Sequence, residues 1–123
     1  MDIFFQDVSE TPQPPTEVRI RTLKAEPYLD GRRVRVGIEI TPFQKRPSLE
    51  LTITASDGQT VAEADILETM IPRLELVLHL RGSAPAGEYT LHARLFYASH
   101  PNPEDTRLPE PLVVHAALTT FTI

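Results

Sequence analysis

The chain has 123 residues, 41% of them hydrophobic and 24% charged, and a net charge of −5. That describes one ordinary globular domain, long enough to bury a core without staples, and the acidic balance argues against a general nucleic-acid binder, which carries a basic face. The absence of cysteine excludes disulfides, thiolate zinc sites and cysteine nucleophiles.

The charge is unevenly spread. Residues 1–16 carry three acids and no base, residues 17–46 carry eight bases and four acids, and residues 47–123 carry four bases and ten acids. A local basic patch is therefore compatible with the acidic total. Twelve prolines, against a usual share of about 5%, fall mostly between apolar runs, as rigid loops of an all-β protein would place them. No run approaches the length of a membrane-spanning helix. Met1 to Val8 lacks the basic region and apolar stretch of a signal peptide. The expectation is a soluble, cytoplasmic chain.

In chain order, residues 1–16 read as an extended, Pro-rich arm. Ile3, Phe4 and Phe5 form an apolar knot, and Pro14-Pro15 cannot join a central ladder. The knot either folds back over the core or a sheet edge, or serves as a linear motif for a partner. Residues 17–26 alternate as a strand, with a phase slip near Thr22-Leu23 that predicts a bulge. Asp30-Gly31 marks a hairpin turn. Residues 32–41 alternate most cleanly, with Val34, Val36, Ile38 and Ile40 on the inner face. Across this hairpin Arg19 is expected near Glu39, and Arg19, Arg21, Arg33 and Arg35 are expected to share the outer face.

Thr41 to Pro47 is a loop that sets an exposed-looking aromatic, Phe43, beside Lys45 and Arg46, where it either serves as a binding residue at the loop tip or folds over the core end. Residues 48–55 form the next strand and Ser56-Asp57-Gly58 turns the chain. Residues 59–66 suit a short strand or one helical turn, since Ala and Glu favour helix; the preceding turn and the length favour strand. Leu74, Leu76, Leu78 and Leu80 alternate with polar neighbours. The stretch from Ala84 to Tyr97 opens on a turn at Pro85 and Gly87. It then places Tyr89, Leu91, Ala93, Leu95 and Tyr97 on one face, the period of a half-buried strand. By the same alternation Phe96 points out, and Phe121 is expected to do likewise on the neighbouring strand, giving an exposed apolar patch. Residues 98–111 form a long loop with four prolines, of a length that is often functional. Residues 112–123 close the fold on a strand.

Seven alternating segments with regular turn signals point to an all-β, antiparallel two-sheet sandwich of about seven strands. Pro85-Ala-Gly-Glu-Tyr-Thr-Leu-His-Ala93 resembles the start of the sixth strand in immunoglobulin-like and fibronectin type III-like domains. There a tyrosine hydroxyl bonds back to the preceding loop, and Tyr89 would hold that position. The resemblance spans residues 17–123 as a pattern and about ten residues as a motif. The chain lacks the cysteines and core tryptophan of immunoglobulin domains, and the second-strand tryptophan of fibronectin domains. It therefore implies an architecture and no function, because such sandwiches host many.

The residues that carry chemistry do not assemble in the sequence. His79 belongs to one expected sheet, with His92 and His115 in the other. The residue opposite His92 should lie near 118, so these histidines do not converge as metal ligands must. Ser9, Ser48, Ser56, Ser83 and Ser99 fall in predicted loops or in the arm, and none sits in a nucleophile elbow. Glu63 with Asp65 reads as a solvated face, and Asp30, Asp57 and Asp105 are single aspartates in separate loops. No glycine-rich phosphate cradle is present. No catalytic residue, metal or cofactor is expected, and the sequence points away from an enzyme. The expected function is an interaction module that binds a protein partner or a copy of itself. The alternative is a carbohydrate- or anionic-ligand-binding module that uses the outer arginine face. The candidate surface is Phe96, Phe121, Phe43, Lys45, Arg46, Arg19, Arg21, Arg33 and Arg35.

Overall fold

A computed structural model of the chain describes residues 11–82, 86–98 and 111–123. Its strands are β1 (Ile20–Pro27), β2 (Arg33–Ile40), β3 (Ser48–Ala55), β4 (Thr60–Ile66), β5 (Arg73–His79), β6 (Glu88–Ala98) and β7 (Pro111–Thr122). They form two antiparallel sheets, one with strand order β1-β2-β5 and one with order β4-β3-β6-β7. The sandwich expected from the alternation is therefore present, and residues 60–66 are strand rather than a helical turn. No helix among the described residues is long and apolar enough to cross a membrane.

Alternation builds the core. Val34, Val36, Ile38 and Ile40 of β2 are buried against Leu49, Leu51 and Ile53 of β3 and Leu91, Ala93 and Leu95 of β6. Burying each large aliphatic side chain contributes about 1.5–3 kcal/mol. Tyr89 is buried at the start of β6, with its ring stacked on Phe121 of β7 at 5.5 Å between centroids. The loop to which a tyrosine corner would bond includes residues 83–85, which lie outside the described residues.

The bulge is present in β1, one residue earlier than expected. Ile20 faces Ile40 while Thr22 faces Glu39, so Arg21 is the extra residue. Strand β1 also starts later than the alternation suggested, because Pro15–Glu17 forms a short 3-10 turn. At the β1–β2 turn, Gly31 adopts φ 67°, a left-handed conformation that a Cβ disfavours. The Asp30 carboxylate accepts from the backbone N–H groups of Arg32 and Arg33. The two sheets are also tied at one edge, where the Ile20 N–H of β1 donates to His115 Nδ1 of β7 at 2.9 Å.

The described part of the arm is fixed to the loop between the sheets. Gln13 N–H donates to the Pro42 carbonyl, and Gln44 N–H donates to the Gln13 carbonyl, both at 2.9 Å. Phe43 lies in this contact, half-buried and packed against the core. Of the two readings of Phe43, the one that folds it over the core end therefore holds, because residues 12–13 pair with the loop. The apolar knot at residues 3–5 and most of the 98–111 loop lie outside the described residues.

Candidate functional site

The first hairpin's arginines are on the surface, but acids surround them. On the outer face of β1-β2-β5, Arg35 pairs with Glu75 at 2.6 Å and Arg73 pairs with Glu39 at 2.6 Å. Arg33 pairs with Asp30 at 2.8 Å and its guanidinium lies 4.4 Å from the centre of the Tyr28 ring. Hydrogen bonds from the Arg73 side chain hold the Glu39 carboxyl below its ordinary range, assisted by the positive charge of Arg21. The backbone N–H of Arg32 and the side chain of Arg33 do the same for Asp30.

The expected Arg19–Glu39 approach is corrected. Arg19 precedes β1 and its guanidinium donates to the carbonyls of Thr16 and Val18. The bulge at Arg21 sets Thr22, not Arg19, opposite Glu39, and β5 supplies the cation from the other side. A shallow depression of about 520 Å³ lies over Gly37, between Lys24, Glu39, Arg73 and Glu75. Its lining alternates in sign and offers no aromatic platform.

The second surface lies at the end of the four-stranded sheet where β3 begins and β6 ends. A depression of about 320 Å³ is lined by Lys45, Arg46, Ser48, Leu67, Glu68, Phe96 and Tyr97. The pairing of β3 with β6 builds it, by setting Ser48 opposite Phe96. Three residues singled out separately in the sequence, Phe96, Lys45 and Arg46, therefore share one site. Phe96 is half-buried on the outer face, with Val113 of β7 as its cross-strand neighbour. Leu67, Phe96 and Val113 make an apolar strip across this end of the sheet. Leu67 is 71% exposed and Val113 43% exposed, and Met70 at 73% and Ile71 at 54% continue from Leu67.

Phe121 is not part of this strip. It faces Tyr89 and is 7% exposed. The expectation that it points outward is corrected by the β6–β7 register, which fixes a parity that the apolar run Val113–Ala117 leaves open.

The rim is rigidly held. The Ser48 hydroxyl accepts from the Glu68 N–H at 3.0 Å, and the Pro47 carbonyl accepts from the Thr69 N–H at 2.9 Å. The buried Thr69 hydroxyl bonds to the Ile71 carbonyl at 2.9 Å. These bonds keep Glu68 at φ 47°, the one left-handed non-glycine residue among those described. Such a conformation costs about 1–2 kcal/mol in a non-glycine residue. On the opposite wall the buried Tyr97 hydroxyl donates to the Lys45 carbonyl at 2.8 Å, and burial pushes its phenol above the usual value.

Charges here differ from those of the arginine face. Arg46 and Glu68 are both exposed and line the same depression. Neither side chain forms an ion pair or hydrogen bond among the described residues. Sequence reasoning missed Leu67, Glu68 and Val113. The available signal was the three apolar residues Leu67, Met70 and Ile71 in a segment too short for an element of its own.

No three His, Asp or Glu side chains converge as metal ligands among the described residues. His79 lies on β5, His92 on β6 and His115 on β7, and His92 faces Leu118, as the spacing suggested.

No family model matches the chain, and no curated protein matches it. Among solved structures, the chain is similar to part of a Lactobacillus rhamnosus beta-glucuronidase, with 19% identity and a TM-score of 0.45. That match covers 87% of this chain and 16% of the other. A Ruminococcus gnavus beta-glucuronidase gives 13% identity and a TM-score of 0.46, covering 87% of this chain and 15% of the other. This chain spans about a sixth of those chains, and nothing of their chemistry carries over to it.

Proposed function

We propose that the chain is a non-catalytic β-sandwich module that binds another protein through the depression around Phe96. The observation that carries this reading is the exposed strip Leu67–Phe96–Val113, together with Met70 and Ile71. Contiguous apolar surface on a water-exposed sheet is a mark of an interaction site. The strip is set on paired strands and on a loop pinned by Ser48 and Pro47. That rigidity lowers the ordering cost of association, and strain such as that at Glu68 clusters at functional positions.

The test is retention of proteins from an extract of the source cells by the wild type, Phe96→Ser and Arg35→Glu. The reading predicts a partner retained by the wild type and by Arg35→Glu, and lost with Phe96→Ser. Loss with Arg35→Glu but not with Phe96→Ser would contradict it and favour the arginine face.

A further inference from the structure

We infer that the partner of the Phe96 depression is a second copy of this chain, docked about a two-fold axis. This rests on the reading of the depression as a protein-binding site and names its occupant.

The argument is one of charge. The rim carries two cations, Lys45 and Arg46, and one anion, Glu68, and the side chains of Arg46 and Glu68 lack partners among the described residues. Several opposite charges elsewhere on the described surface are paired, as in Arg35–Glu75, Arg73–Glu39, Arg81–Glu63 and Arg94–Glu50. An acidic partner would satisfy Arg46 and be repelled by Glu68, and a basic partner would do the reverse. A second copy satisfies both.

In a two-fold contact the same patch serves both sides, so that residue i meets residue j and j meets i. Arg46 of each copy then meets Glu68 of the other, giving two ion pairs around an apolar centre. Phe96 and Leu67 supply that centre, with Val113 extending it. This matches the usual anatomy of an interface, an apolar core within a polar rim. The pinning of Glu68 by Ser48 gains a purpose. It holds the carboxylate on the rim, where the neighbouring copy's arginine requires it.

The experiment is light scattering and sedimentation of the purified chain across a dilution series. The wild type is expected to dimerise reversibly. Phe96→Ser, Arg46→Glu and Glu68→Arg are each expected to weaken the dimer at least tenfold. The combined variant Arg46→Glu with Glu68→Arg is expected to dimerise again, because the carboxylate introduced in each copy meets the guanidinium introduced in the other. Mixing the two single charge variants is expected to give a heterodimer, because the carboxylates at 46 and 68 of one copy each meet a guanidinium of the other, so this mixture should associate better than either variant alone. Both positions are exposed, so these variants should keep the fold, which circular dichroism checks.

A wild type that is monomeric at every concentration overturns the proposal, as does a dimer indifferent to these substitutions. A monomer that still retains a different protein, lost with Phe96→Ser, overturns the second copy as occupant while leaving the binding site in place. A monomer that retains nothing through Phe96 overturns both.

Discussion

The two outer faces of the sandwich carry charge in different ways. On β1-β2-β5 the cations Arg33, Arg35 and Arg73 each find a carboxylate on the same face. At the Phe96 end of the other sheet, Arg46 and Glu68 stand unpaired among the described residues, beside an exposed apolar strip. The arginine-rich hairpin is the more conspicuous of the two in the sequence, yet cross-strand geometry neutralises it. A surface is available to a partner where charges are unsatisfied and apolar groups exposed, not simply where basic residues are frequent.

The largest expected effect separates two adjacent residues of β6. Leu95 is fully buried, so Leu95→Ala should destabilise the fold by about 2–5 kcal/mol in urea unfolding. Phe96→Ser, one residue on, should cost much less stability and instead abolish association. If Phe96→Ser proved as destabilising as Leu95→Ala, Phe96 would be core and the contrast between the faces would fail.

Glu68→Gly should act in opposite directions on fold and function. Relief of the left-handed backbone should raise stability by up to about 1 kcal/mol, while loss of the rim carboxylate weakens association. A loss of stability would show that Glu68 makes contacts within its own chain. On the other face, Arg35→Gln removes an exposed pair worth under about 1 kcal/mol and should leave association unchanged.

The smallest effects are in pH dependence, and they divide by face. Glu39 has a lowered carboxyl, so its contribution is present above its ordinary 4.5 and is lost as pH falls through the folded value. Arg73→Gln should flatten that acid limb. Tyr97 has a raised phenol, so its contribution is complete below its ordinary 10.0 and is lost as pH rises through the folded value. Tyr97→Phe should flatten the alkaline limb, at a cost of about 0.5–1.5 kcal/mol for the lost bond to Lys45. Denaturation midpoints across pH would read both, and a Tyr97→Phe protein with an unchanged alkaline limb would contradict the assignment.

The strands were legible in the sequence because a period of two, bounded by turns, is a local property. β3 coincides with residues 48–55 as expected, and β2 departs by one residue at either end. What could not be read depends on pairing between distant segments. Arg73 reaches Glu39 only because β5 joins β2. Phe96 joins Lys45 and Arg46 only because β6 lies against the start of β3. Phe121 was misplaced because Val113–Ala117 is apolar on both sides of the strand, so composition does not say which parity faces the core; the Tyr89–Phe121 register does. The site's other wall, Leu67 and Glu68, rests on a backbone conformation that Ser48 enforces from a neighbouring strand.

The most direct test of the contrast is amide hydrogen exchange of the wild type in dilute and in concentrated solution. The account predicts that concentration increases protection at residues 45–48, 67–71, 94–97 and 112–114, and leaves residues 33–37 and 73–77 unchanged. Protection gained on the arginine face instead, with none around Phe96, would contradict it.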